Sequence, residues 1–160
     1  MNKALFLDRD GILIKERGDY NYLDKHFKIN HKITPLLQFA LKNQFLLIVI
    51  TNQGGVEKGL YAHKEIEIMH EKISNYFLPL GIMFTDFFHC EHHDSLSSCI
   101  CRKPSSLMIE KACAVYNINP KASYMIGDKE TDKKVGERVG AKGIQIRANT
   151  TVNNYHKIIL

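Results

Sequence analysis

Short apolar runs alternate with amphipathic stretches along this chain of 160 residues. The runs are rich in aliphatic and aromatic residues and end abruptly at a polar position, as the buried strands of a parallel sheet do. They predict strands at 3–7, 45–50, 86–89, 123–126 and 143–146.

The stretches between these runs carry apolar residues at helical spacing. The pattern predicts helices over 36–43, 62–78, 107–116 and 131–139. In the longest of them, one apolar face is formed by Ile66, Met69, Ile73 and Phe77. Strands that alternate with helices indicate an α/β fold, in which helices cover both faces of a parallel sheet.

Length and composition agree with that architecture. A chain of 160 residues fits one domain over 1–160, and its 44% hydrophobic and 24% charged residues are ordinary for a globular protein. Its apolar runs are too short to cross a bilayer, and residues 1–8 lack the pattern of an export signal. We therefore expect a cytoplasmic protein with no membrane partner, and we expect it to be a monomer.

The charge narrows the choice of partners. A net charge of +5 and an isoelectric point near 9.0 favour anionic ligands. The basic residues are scattered and sit beside acids, as over 128–134, so no basic run of the kind that binds nucleic acid occurs. This distribution argues against nucleic acid and suits a small phosphorylated substrate.

Polar residues stand directly after three of the predicted strands. They are Asp8, Thr51 and Asp128. Since ligands of open parallel sheets bind outside the carboxyl ends of the strands, these side chains point to one common site.

Four short motifs lie at these strand ends and before the third helix. In chain order they are Asp8-Arg9-Asp10-Gly11, Thr51-Asn52-Gln53, Lys103-Pro104 and Gly127-Asp128-Lys129-Glu130-Thr131-Asp132. With all four in this order, the chain resembles the haloacid dehalogenase superfamily of phosphohydrolases over residues 3–147. The resemblance implies a Rossmann-like, three-layer fold and hydrolysis through an aspartyl-phosphate. The gaps from Asp10 to Thr51 and from Thr51 to Lys103 are too short for a large cap domain.

The same resemblance implies a role for each motif. It makes Asp8 the nucleophile and Asp10 the general acid and base, and it assigns Thr51 and Lys103 to the transferring phosphoryl group. The implied Mg²⁺ ligands are Asp8, the backbone carbonyl of Asp10, and Asp128, with Asp132 in support. Hard oxygen ligands suit Mg²⁺. A cation is needed because each pair of unit charges between a carboxylate and a phosphate repels by about 4 kcal/mol at an effective dielectric near 20.

Cysteine and histidine residues are concentrated at positions 90–101. In a reducing compartment such a cluster predicts metal binding rather than a disulfide. The zinc ligands expected of this loop are Cys90, His92, Cys99 and Cys101, with His93 as the alternative to His92. Cys113 lies on the apolar side of a predicted helix and is expected to pack in the core.

The loop and the sequences around it are similar to those of the D-glycero-D-manno-heptose 1,7-bisphosphate phosphatases. The residues that carry this likeness are Cys90-x-His92-His93, Cys99-x-Cys101-Arg102-Lys103-Pro104 and 123–129. The likeness implies removal of the C7 phosphate in the synthesis of bacterial surface polysaccharide. The substrate contacts that we expect are Arg9, Glu16, Arg17, Gly18, Asp19, Asn52, Gln53, Gly54 and Arg102.

Several positions depart from that family's pattern, and they lie near surfaces that select the substrate. They are Ile12, Gly54, Lys58 and the segment 105–107. The related histidinol-phosphate phosphatases share the zinc loop and remain the alternative. Two further alternatives are a polynucleotide-end phosphatase and an inactive, zinc-stabilised binding module.

Overall fold

The computed structural model describes residues 1–159 and contains one five-stranded, fully parallel sheet. The strands lie in the order β3-β2-β1-β4-β5. Their bounds are Lys3–Leu7 (β1), Phe45–Asn52 (β2), Asp86–Cys90 (β3), Tyr124–Gly127 (β4) and Lys142–Gln145 (β5). The order reverses on either side of β1, so β1 lies at the topological switch point, where open α/β sheets bind ligands.

Helices follow the strands and cover both faces of the sheet. Their bounds are Thr34–Lys42 (α1), His63–Phe77 (α2), Leu107–Tyr116 (α3), Glu130–Arg138 (α4) and Tyr155–Ile158 (α5). Short 3₁₀ turns at 24–26, 31–33, 78–80 and 120–122 join these elements.

The alternation of side chains along the strands produces two separate cores. On β1, Leu5 and Leu7 face the core that α1 and α2 cover, whereas Ala4 and Phe6 face the core beneath α3 and α4. Successive residues of a strand point to opposite faces, so a continuous apolar run such as 4–7 is buried on both. The predicted three-layer α/β architecture is confirmed.

The strands and helices agree with the predictions except at their ends. β2 is longer than predicted because Thr51 and Asn52 pair with His89 and Cys90 of β3. The terminal helix α5 was not predicted, and the residue after it, Ile159, is fully buried in the core under α1 and α2.

The carboxyl ends of the strands stay open to ligands. Within residues 1–159, the segment between β1 and β2 holds two 3₁₀ turns and α1, and that between β2 and β3 holds α2 and one 3₁₀ turn. Neither insertion forms a separate cap, so loops surround the site. No helix in the described part of the chain has the length and apolar character needed to cross a membrane.

Candidate active site

Three carboxylates meet where β1 and β4 end. Asp8 follows β1 and its backbone N–H donates to the carbonyl of Ile126 at 2.9 Å, which ties it to β4. One carboxylate oxygen each of Asp8, Asp128 and Asp132 lie within 4.8 Å of one another. The structure therefore brings together acidic residues that are more than a hundred positions apart in the sequence.

Lys103 supplies the positive charge among these acids. Its side chain is almost fully buried, and Nζ donates to Asp8 Oδ1 at 2.8 Å and to Asp132 Oδ1 at 2.5 Å. A third hydrogen bond runs to the carbonyl of Ile50 at 2.7 Å, so all three ammonium protons have acceptors. Its backbone is held through a pair of hydrogen bonds with the side chain of Asn52.

Burial and crowding change the acidity of this group of residues. Burial raises the pKa of Asp8 to about 7; Lys103 opposes the rise, and Asp132 and Asp10 add to it. Burial likewise raises the pKa of Asp128. Asp132 and Asp8 raise the pKa of Lys103 against the effect of its burial, so the lysine stays charged.

A separate set of hydrogen bonds orients Asp10. Its carboxylate accepts from Asn21 Nδ2 at 2.6 Å, from Gln53 Nε2 at 3.0 Å and from Arg9 Nε at 3.1 Å. These donors come from three different segments of the chain. The side chain of Asp10 is thus held in one position at the site.

Arg9 lies beneath Asp10 and Gln53 rather than at the surface of the site. Only 1% of the residue is exposed, and Nη2 donates to Gln53 Oε1 at 2.9 Å and to the carbonyl of Asn21 at 3.1 Å. Gln53 also accepts from the hydroxyl of Tyr61 and donates to Thr51 Oγ1, both at 2.8 Å. These contacts suit Arg9 to positioning Asp10 and Gln53.

The site opens into a cavity of about 870 Å³. Of the residues predicted from sequence, the wall contains Asp8, Asp10, Glu16, Gly18, Asp19, Asn52, Gln53, Gly54, Cys99, Arg102, Lys103, Asp128 and Asp132. Arg9 and Thr51 are buried behind the wall. Arg17 lies beside it, where its side chain contacts the carbonyl of Tyr20 and the carboxylate of Asp19.

The loop that follows β1 is hydrogen-bonded to the C-terminal part of the chain. Glu16 N–H donates to Asn149 Oδ1 at 2.7 Å, and Asn149 Nδ2 donates back to the carbonyl of Glu16 at 3.1 Å. The Glu16 carboxylate then accepts from the backbone N–H groups of Arg17 and Gly18 at 2.8 Å. Residues 16–19 are therefore held at the cavity wall.

Sequence reasoning missed several residues of the site. Asn21 contacts Asp10, Lys129 lines the cavity and Asn149 contacts Glu16. The wall also contains Tyr20, Asp94, Ser97, Ser98, Pro104 and Thr131. Asn21 lies two residues beyond the contacts expected at 16–19, and Lys129 lies inside the fourth motif. No local pattern indicates Asn149, since its role depends on a contact with a residue far away in the sequence.

A second group of side chains gathers at the end of β3. The Sγ atom of Cys101 lies 3.0 Å from that of Cys90, 3.6 Å from that of Cys99 and 3.3 Å from His92 Nδ1. Candidate ligand atoms of all four residues lie within 4.8 Å of one another. The ring of His93 instead contacts the hydroxyl of Ser95 at 2.7 Å, so the geometry favours His92 as the ligand.

This cluster sits next to the cavity. Arg102 follows Cys101 in the chain, and its Nη1 donates to the carbonyl of His92 at 3.0 Å. Gly54 packs closely against the same pair, since a Cβ there would lie 3.0 Å from the His92 carbonyl and 3.2 Å from Arg102. Cys113 is in α3, outside the cluster, and packs against the core under that helix.

Comparison with known proteins agrees with this geometry. A family profile described as HAD-hydrolase-like matches residues 100–156. The chain is 37% identical over 146 residues to D-glycero-alpha-D-manno-heptose-1,7-bisphosphate 7-phosphatase of Photorhabdus laumondii, an alignment covering 86% of this chain and 78% of that one. The chain belongs to this family of haloacid dehalogenase phosphatases. The corresponding beta-anomer phosphatase of Helicobacter pylori is also 37% identical, over 84% of this chain and 78% of its own.

The chain also matches a protein of a neighbouring family and a solved structure. The chain is 33% identical to histidine biosynthesis bifunctional protein HisB of Legionella pneumophila over 94% of its length, but spans only 43% of that protein. The D,D-heptose 1,7-bisphosphate phosphatase of B. bronchiseptica, solved with magnesium and phosphate, superposes with a TM-score of 0.84 at 17% identity. That superposition covers 98% of this chain and 96% of the other. At that identity the superposition shows that this heptose bisphosphatase family member shares the fold.

Proposed function

We propose that this protein hydrolyses the C7 phosphate of D-glycero-D-manno-heptose 1,7-bisphosphate in a magnesium-dependent reaction. The observation that carries the proposal is the meeting of Asp8, Asp10 and Lys103 in one cavity of a chain that is 37% identical to such a phosphatase. A pure binding module has no need of two carboxylates and a buried ammonium at one strand end.

The acidic side of the cavity fits Mg²⁺. Asp128 Oδ1 is buried and has no hydrogen-bond partner within the described chain, so it is free to coordinate a cation. Burial raises the pKa of both Asp8 and Asp128, so a cation bound between them would favour their charged forms. The proposed ligands are Asp8, the backbone carbonyl of Asp10, and Asp128, with Asp132 in support. Bound Mg²⁺ would reduce the repulsion between the carboxylates and a phosphate dianion.

The protein's own residues divide the chemistry into two steps. Asp8 attacks the phosphorus and the bond to the sugar oxygen breaks, which leaves an aspartyl-phosphate. Asp10 gives its proton to the leaving oxygen and then accepts one from the water that attacks the aspartyl-phosphate. That attack breaks the bond between the Asp8 oxygen and phosphorus, which releases phosphate and restores the Asp8 carboxylate. Lys103 is assigned to the phosphoryl oxygens, where a preorganised ammonium stabilises the charge that develops. Thr51 is assigned the same role, for which its hydroxyl, now buried behind the wall, would have to become accessible.

The remaining cavity wall would recognise the sugar. Glu16, Gly18, Asp19 and residues 52–54 line the cavity, and Arg102 adds a cation to its wall. Arg17 lies beside the wall and would have to move to reach the substrate. Since loops rather than a cap domain surround the cavity, these side chains would decide which phosphorylated metabolite enters.

The Cys90, His92, Cys99 and Cys101 cluster would hold a structural Zn²⁺. In tetrahedral zinc sites the ligand atoms are about 3.4–3.8 Å apart, given Zn–S near 2.3 Å and Zn–N near 2.0–2.1 Å. The contacts that Cys101 makes with the other three lie between 3.0 and 3.6 Å. All four ligands belong to the protein, which is typical of a closed, structural site. Its role would be to fix Arg102 and Lys103 beside the phosphate.

The test is a comparison of kcat/KM for three classes of phosphate ester in the presence and absence of Mg²⁺. The substrates are heptose 1,7-bisphosphate as both anomers, histidinol phosphate, and a phosphorylated DNA end. We expect heptose bisphosphate to be preferred by at least about tenfold, which is 1.4 kcal/mol of transition-state discrimination.

A preference for histidinol phosphate would overturn the substrate assignment and retain the chemistry. The HisB relatives make this the second candidate. Rapid turnover of the DNA end alone would instead indicate a polynucleotide phosphatase, and no Mg²⁺-dependent turnover of any ester would refute the proposal.

A further inference from the structure

A third cluster of candidate ligands lies apart from the active site and from the cysteine cluster. It consists of His63, the first residue of α2, and of His89 and Glu91 at the end of β3. One side-chain atom from each lies within 4.8 Å of the others. His89 and Glu91 alternate with Cys90 and His92, so the two clusters use opposite faces of the same extended segment.

Both imidazole rings converge on one carboxylate oxygen. His63 Nδ1 lies 2.5 Å and His89 Nε2 lies 3.1 Å from Glu91 Oε1. The other nitrogen of His63 lies 3.2 Å from Glu67 Oε1, one turn further along α2. Both ring nitrogens can lie this close to one carboxylate oxygen only if each nitrogen carries a proton or if a cation lies between the three atoms.

We propose that His63, His89 and Glu91 bind a second divalent transition-metal ion, with Glu67 or water in the remaining position. Two imidazoles and one carboxylate are a donor set that suits Zn²⁺. The side chains of His63 and Glu91 are 53% and 33% exposed, so small rotations can open the cluster to the width that a metal needs. The same exposure allows the ion to exchange with solvent, unlike an ion in a closed cysteine site.

Metal at this cluster would couple α2 to the strand ends that carry the active site. The carbonyl of Cys90 accepts from the N–H of Gln53 at 2.6 Å, and that of Glu91 accepts from the N–H of Glu57 at 3.3 Å. Gln53 in turn holds Asp10. An ion that joins the start of α2 to Glu91 would therefore stiffen the segment that supports Asp10, and it would raise the melting temperature as its concentration rises.

The test uses the full chain with one equivalent of Zn²⁺ already bound. In excess Mg²⁺, which occupies the carboxylate site at Asp8 and Asp128, isothermal titration with further Zn²⁺ should show one additional site. Titration with Co²⁺ under the same conditions should give a visible spectrum without thiolate-to-cobalt charge transfer. His63→Ala, at a half-exposed position, should weaken this second site by at least about tenfold, since even outer-shell changes at metal sites cost that much. Glu91→Gln should do the same while preserving the shape of the side chain.

The control is His156→Ala, an exposed histidine in α5 outside the cluster. It should leave both the affinity and the zinc-dependent rise in melting temperature unchanged. Three results would each overturn the proposal: no second equivalent in the wild type, an equal affinity in His63→Ala, or a second Co²⁺ site with thiolate charge transfer. Because none of these measurements involves turnover, they are independent of the proposed phosphatase activity.

Discussion

The arrangement around Lys103 shows how one buried ammonium allows acidic side chains to lie close together. Its ammonium contacts Asp8 and Asp132, and the Oδ2 atom of Asp132 accepts from the N–H of Lys129 at 3.0 Å. Each buried charge thus has a partner, which offsets much of the cost of removing it from water. Asp128 lacks such a partner for Oδ1, and this difference marks it as the residue most in need of a cation.

Replacement of Asp8, the proposed nucleophile, tests the mechanism at this scale. We expect Asp8→Asn to abolish turnover because an amide cannot form the aspartyl-phosphate, and to leave the fold intact because Asn preserves the shape. Phosphate release and circular dichroism would measure the two effects. Asp10→Asn, the companion variant, should lower kcat by about 10²–10⁴, the range for loss of a general acid and base. Turnover by the Asp8→Asn variant at the wild-type rate would contradict the mechanism.

Arg9 and Arg102 are a matched pair with different expected effects. Arg9 is buried under Asp10, so Arg9→Ala should lower kcat and leave KM within about twofold, as expected when substrate binding itself is untouched. Arg102 lines the cavity, so Arg102→Ala should raise KM. Steady-state kinetics of both variants separate the two roles. A rise in KM alone for Arg9→Ala would instead support a direct contact between Arg9 and the substrate.

At the level of elements, the segment from β3 to α3 links the Cys90, His92, Cys99 and Cys101 cluster to Lys103. Cys90 ends β3, Cys101 closes the cluster, and Lys103 follows two residues later. Arg138 of α4 holds the same segment from the other side by donating to the carbonyl of Pro104 at 2.7 Å. The position of Lys103 therefore depends on the geometry of the whole segment.

Loss of one thiolate should test that dependence. We expect Cys99→Ser to lose zinc and to lower kcat, because Arg102 and Lys103 would no longer be fixed. Metal content by mass spectrometry and phosphate release would record the two losses. Cys113→Ser, outside the cluster, is the matched control and should keep both properties. Full zinc occupancy with normal kinetics in Cys99→Ser would show that the cluster is not the zinc site.

At the scale of the whole molecule, the parallel sheet divides the interior into two cores. The larger one is covered by α1, α2 and the C-terminal segment, and the smaller one by α3 and α4. We expect residues 1–160 to unfold as a single domain. The reason is that one continuous sheet joins the two cores, so neither core can unfold without disrupting the other. A single urea transition, seen equally by fluorescence and circular dichroism, would support this expectation.

His70 gives that unfolding transition a predictable pH dependence. Burial lowers the pKa of His70 to about 2, and its ring stacks on Phe87 with no partner for Nε2 within the described chain. The native state keeps the ring neutral, whereas the unfolded chain takes up a proton below its ordinary pKa near 6.5. Stability is therefore present above that pH and is lost as pH falls, by up to about 1.4 kcal/mol per pH unit.

Urea denaturation at pH 7.5 and 5.5 measures this effect. The free energy of unfolding of wild type should fall relative to that of His70→Phe by about 1.4 kcal/mol between the two conditions. Because all other titrating groups are shared, the difference isolates His70. His156→Phe, at an exposed position, serves as the control. Parallel pH profiles for wild type and His70→Phe would contradict the prediction.

Sequence alone determined the elements and the types of residue at the strand ends. Apolar periodicity is a local property, so runs such as 45–50 and the face of α2 could be recognised from spacing. The motifs likewise placed Asp8, Asp10 and Asp128 at one edge, because strand ends of a parallel sheet share that edge. Lys103 precedes α3, and the family resemblance assigned it to the same site. Element ends were less accurate, since pairing with β3 extends β2 through Asn52.

Only the tertiary structure decided which side chains meet. It placed Arg9 under Asp10, favoured His92 over His93, and joined Asn149 to Glu16, contacts that no local pattern indicates. It also brought His63 to His89 and Glu91 from a different element. The physical reason is the same in each case: spacing along the chain sets which way a side chain points, whereas the packing of helices and loops on the sheet sets what it reaches.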